Sequence, residues 1–96
     1  MAAEQRIQMK IAADVETGVY ADFVRAWYTD DAFVLDFASL TEPARREAGA
    51  VVLTATVASR VRIPPAQVFE LMKALERQLT AWEKDHGKRS PGPAAL

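Results

Sequence analysis

Histidine occurs once in this chain, at position 86. An imidazole that works as a general base needs an orienting carboxylate and a nucleophile or substrate close by. Glu83 and Asp85 are near in sequence, but all three fall where a helix is expected to end, so His86 reads as a helix C-cap, placed where positive charge meets the negative end of the helix dipole. Two aspartates, Asp22 and Asp36, fall on expected strands and offer carboxylates for acid–base work. The pairing derived below sets them on opposite faces of a hairpin, and Asp36 is better explained as the ionic partner of Arg25. Arg60 and Arg62, two apart on the polar side of the last expected strand and with Arg25 nearby, make the best case for recognition of a ligand. Arginines on a sheet face can touch phosphate, and an aromatic such as Trp27 can stack on a base; the alternative is solvated charges or ion pairs between subunits. Gly18, Gly49, Gly87 and Gly92 stand alone, so no phosphate-cradling loop is expected. One histidine, no cysteine and scattered acids match no metal-ligand spacing, and neither a metal nor another cofactor is expected.

These residues need a scaffold, and 96 residues suffice for one domain. A chain this short buries only about 60–65% of the surface its unfolded form exposes, so covering a further face with a second copy would help it. Twelve basic and thirteen acidic residues give a net charge of −1, without the basic surplus with which nucleic-acid binders neutralise phosphate. Nucleic acid is therefore an unfavoured partner. The N-terminal residues lack the apolar run of a signal peptide, and no stretch approaches the ~18 apolar residues of a membrane span. The expected location is the cytoplasm, with no membrane contact.

Residues 6–13 alternate, with Ile7, Met9, Ile11 and Ala13 on one side and Arg6, Gln8 and Lys10 on the other, the period of a strand with one wet face. Residues 19–29 and 32–40 are rich in β-branched and aromatic side chains and are the next two expected strands. If Asp30 and Asp31 form the turn between them, Thr29 pairs with Ala32, Tyr28 with Phe33 and Arg25 with Asp36. One hairpin face is then Val24, Ala26, Tyr28, Phe33, Leu35 and Phe37; the other holds the Arg25–Asp36 pair with Phe23, Trp27 and Val34 around it. Residues 41–50, with Pro43 and Gly49, are expected to be a mobile loop whose two arginines are solvated rather than an anion site. Residues 51–63 form a fourth expected strand, its apolar row broken at Ser59. It is long enough, at ~43 Å, that a bend or bulge is anticipated. Pro64 and Pro65 stop it and open a helix, where a missing N–H costs nothing. Val68, Leu71, Met72, Leu75, Leu79 and Trp82 then mark one helical stripe, ending at Gly87. The sum is an α+β domain over residues 6–87, an antiparallel sheet of about four strands followed by one long C-terminal amphipathic helix. Residues 1–5 form a flexible N-terminus and residues 88–96 a disordered tail.

Tyr20-Ala21-Asp22, the run from Phe33 to Phe37, Ser59-Arg60-Val61 before a proline, Trp82-Glu83 and His86-Gly87 resemble, in this order, a family of bacteria and archaea. It is catalogued as domain of unknown function family 3467. The resemblance covers roughly residues 7–87 and implies a strand-rich domain with a C-terminal helix, without supplying an activity. Asp22 stands where the family pattern has asparagine, and Trp82 where it has tyrosine. In element order alone the chain is also similar to SecB-type secretion chaperones, and fold analogy is a weak guide to function.

The expected function is that of a non-enzymatic homo-oligomer, a dimer in the first instance, acting through protein contacts as scaffold, adaptor or chaperone-like module. With the helix on one sheet face, Phe23, Trp27 and Val34 remain on the other, and a contiguous apolar patch usually meets a partner. The interaction surface expected on this reading comprises Phe23, Arg25, Trp27, Val34, Asp36, Arg60 and Arg62. The alternatives are a single subunit whose helix covers those aromatics, a nucleic-acid-binding regulator using the arginine face, and a small-molecule site formed between subunits.

Overall fold

The computed structural model describes residues 4–87. Five strands precede one helix: β1 (Phe23–Tyr28), β2 (Phe33–Leu40), β3 (Arg45–Glu47), β4 (Ala50–Val52), β5 (Ala55–Ile63) and α1 (Pro65–Asp85). They make a three-stranded sheet in the order β1-β2-β5 and a separate two-stranded sheet of β3 and β4. The α+β class and the order of strands before a terminal helix are as expected. The expected tail at residues 88–96 lies outside the described residues.

Contacts divide the chain into two compact units. Of the described residues, one takes in 4–25 together with Asp36–Arg60; the other takes in Ala26–Leu35 and 61–87.

The β1–β2 hairpin forms in the expected register. The Thr29 amide donates to the Ala32 carbonyl at 2.8 Å, the Tyr28 and Phe33 rings lie 5.7 Å apart between centroids, and Arg25 reaches Asp36 at 2.9 Å. These are the cross-strand neighbours that a turn at Asp30-Asp31 dictates. Buried side chains alternate along β2 at Ala32, Val34, Asp36 and Ala38, while Phe33, Leu35 and Phe37 are only half-buried. This corrects the expectation for Val34, which is 2% exposed rather than part of an open patch. It lies on the central strand, in the row that neighbours on both sides flank.

Three other expectations change. Residues 6–11 carry no regular structure, and the turn of 3-10 helix at Ala13–Val15 follows them, so the first expected strand is absent from the sheet. Residues 41–50 are not a loop throughout. Arg45, Arg46 and Glu47 pair with Val52, Val51 and Ala50 across the two-residue turn Ala48-Gly49, whose φ values of +50° and +81° are those of a type I′ hairpin. The fourth expected strand is broken at Leu53 and Thr54 into β4 and β5.

The helix begins as its prolines require, with Pro64 extended at the N-cap and Pro65 in the first turn. It ends at His86, followed by Gly87 at φ +79°. The His86 ring stacks on Trp82 with centroids 4.2 Å apart. Its Nδ1 lies 2.8 Å from the Trp82 carbonyl, which only accepts, so Nδ1 carries the proton of this bond. No residue of α1 is buried. Met72, Leu75 and Leu79 keep 60%, 61% and 55% of their surface exposed.

Candidate functional site

The densest cluster of charge is built on strands β1, β2 and β5. Asp36 lies at the middle of the central strand and is 1% exposed. Its carboxylate is gripped from both sides. Arg60 donates through Nε to Oδ1 at 2.6 Å and through Nη2 to Oδ2 at 3.1 Å, a bidentate pair. Arg25 donates through Nη2 to Oδ2 at 2.9 Å from the opposite neighbour strand. Among the described residues no buried side-chain polar atom lacks a partner.

The two guanidiniums keep much of their surface in water, with side-chain exposures of 69% for Arg25 and 50% for Arg60. The site is a sunken anion under two cations with solvated outer edges. Hydrogen bonding to Asp36 first, then its negative charge, raise the Arg60 pKa above the ordinary arginine value, against a smaller opposing effect of desolvation. Arg60 is thus cationic at every physiological pH. With its oxygens accepting three arginine bonds, Asp36 is occupied as an ion-pair acceptor, an arrangement suited to holding strands together rather than to shuttling protons.

Beside this cluster an open cleft is lined by Phe23, Arg25, Asp36, Ala38, Ala55 and Val57. Its walls are Phe23, Ala38, Ala55 and Val57, apolar apart from the ionic rim of Arg25 and Asp36. The alanines drew no attention in the sequence, where a small residue in a strand reads as filler.

The seven expected interaction residues separate as follows. Arg25, Asp36 and Arg60 come together, and Phe23 lines the cleft beside them. Arg60 is expected beside Arg62 on the polar side of its strand with Arg25 nearby; in the structure it bonds Asp36, as Arg25 does. Arg62 is exposed and joins no ion pair among the described residues. Trp27 keeps 40% of its surface exposed, and Val34 is covered.

Asp22 and Asp36 have separate partners. The Asp22 carboxylate accepts the Leu40 amide at 2.7 Å, and its own amide donates to the Ala38 carbonyl at 2.8 Å, closing the open end of the hairpin. An asparagine at this place could accept the same bond through its carbonyl oxygen. Among the described residues no group of three or more histidine, cysteine or acidic side chains is placed to hold a metal ion, and no helix is long and apolar enough to cross a membrane.

The profile of a family described as Protein of unknown function (DUF3467) matches residues 1–89. No curated protein and no solved structure matches the chain.

Proposed function

The chain belongs to the DUF3467 family of proteins of unknown function, and from that premise we propose that it is a non-enzymatic homo-oligomer of the cytoplasm, a dimer in the first instance. It acts through protein contacts, as a scaffold, an adaptor or a SecB-like holder of unfolded chains. One observation carries this reading: the chain leaves its apolar side chains in water. The three buried hydrophobic residues among those described are Ala32, Val34 and Ala38, while Phe69, Met72, Leu75, Leu79 and Trp82 of the helix all stay exposed. Large exposed apolar surfaces mark sites of association.

Protein contact is favoured over nucleic-acid binding because Arg25 and Arg60 turn charge inward onto Asp36, leaving less for a phosphate backbone. Sedimentation at micromolar concentration should give the mass of a dimer or a larger closed assembly. A monomer there, with no partner recovered by affinity capture, would overturn the proposal. Failure to suppress aggregation of a model unfolded substrate would remove the chaperone-like version alone.

A further inference from the structure

At residues 6–11 the residue pattern asks for a strand and the fold supplies none. Ile7, Met9 and Ile11 recur with period two, yet Ile7 and Met9 are both 88% exposed. Among the described residues no backbone hydrogen bond reaches residues 6–11. A peptide of this pattern, rich in unpaired amides and carbonyls and greasy along one side, is what adds to the edge of an existing sheet.

The sheet has such an edge. β5 is the last strand in the order β1-β2-β5 and bonds a neighbour on one side only. Its nine residues span about 30 Å, enough to seat the whole of an arm of residues 6–12, about 23 Å long, whereas the six-residue β1 spans about 20 Å. Of the two outer strands, β5 alone can pair the arm along its full length.

We infer that the arm of residues 6–12 adds as a strand to β5 of a second copy of this chain, reciprocally across a twofold axis. This rests on the homo-oligomer reading and specifies its interface. A second copy is the occupant because each chain brings both halves of the contact, one arm and one open edge, so that a closed twofold pair satisfies both. Strand exchange supplies main-chain hydrogen bonds to both the arm and the edge and gives the apolar row of the arm a sheet face to continue.

The test uses the full chain and two proline variants, Gln8→Pro and Met9→Pro. Successive amides of a strand point to opposite sides, so one of these two positions must carry an N–H aimed at β5, which proline removes. Gln8→Ala and Met9→Val are the controls. The readouts are mass by sedimentation and amide hydrogen exchange of residues 7–12 across a dilution series. In the dimer every second amide of this stretch, the set that faces β5, should exchange on the order of 100-fold more slowly than in the dilute chain. At least one proline variant should dissociate on the order of 100-fold more readily, with the far-UV spectrum of the dilute chain unchanged and the controls behaving as the parent. A dimer whose arm amides exchange at free-peptide rates overturns the arm and leaves the homo-oligomer standing. Arm amides protected equally in a dilute monomer show pairing within one chain and overturn the exchange. A monomer at all micromolar concentrations overturns both.

Discussion

Asp36 and its two arginines respond differently to mutation. Removing the carboxylate releases two guanidiniums that already face water and can rehydrate. Removing an arginine leaves a buried anion short of donors, the costlier defect in a low-dielectric setting. Arg60 supplies two of the three arginine bonds and Arg25 one. Arg60→Ala should therefore lower the thermal midpoint more than Arg25→Ala, with Arg60→Lys intermediate, since lysine cannot reproduce the fork. Differential scanning calorimetry ranks the three; Arg25→Ala as the most damaging would refute this account of the cluster. The pH dependence has a definite sign. The folded-state pKa of Arg60 is raised, so the stabilisation it brings is fully present below the unfolded-state value and is lost only as pH climbs through the higher folded one. Moderately alkaline buffer should leave the Arg60 contribution intact. At the hairpin mouth, Asp22→Asn should melt like the parent because the bond from Leu40 needs only an oxygen, while Asp22→Ala should lose about 1 kcal/mol. Equal losses in both variants would mean that the charge, not the acceptor, matters there.

Among the elements, β1, β2 and α1 were legible because each has a clean period and a clear boundary. Two prolines open the helix, a glycine follows it, and the ionic pair Arg25–Asp36 fell out of the hairpin register. The β3–β4 hairpin was hidden because Arg45-Arg46-Glu47 shows no alternation, and Ala-Gly is an unusual pair for a turn that needs two positive φ angles. The third member of the cluster, Arg60, is expected near Arg25 on the polar row of its strand, but its bond to Asp36 depends on how β5 pairs with β2, which the residue pattern of β5 does not state. Residues 6–13 read as a strand in the sequence because period two reports a readiness to pair and says nothing of where the partner strand comes from. Ala48 at φ +50° holds a conformation that costs an L-residue about 1 kcal/mol. Ala48→Asn, giving the favoured Asn-Gly turn, should stabilise the chain by a fraction of that, on the order of 0.5 kcal/mol, in a chemical denaturation curve. Ala48→Val should destabilise it, since β-branching disfavours the left-handed region. A neutral or harmful Asn substitution would show that the turn is not held as described.

For the molecule as a whole, the small number of buried hydrophobic side chains sets what holds it together. If association covers the helix stripe, folding and assembly are linked and the melting temperature must depend on concentration. A tenfold increase in protein should raise the midpoint by a few degrees, and Leu75→Glu or Leu79→Glu should abolish that dependence together with the dimer. A midpoint indifferent to concentration in the parent protein would mean that the subunit is complete alone. The carboxylate at the centre of β2 has a further consequence for the pairing of strands. Sliding β2 by two residues against either neighbour preserves the alternation of side chains and would be tolerated by a purely apolar row. Here the same slide carries the anion of Asp36 away from its cations and strands it inside the sheet, so a misaligned hairpin, or a foreign strand in place of β1 or β5, is rejected by charge where greasiness alone would have accepted it.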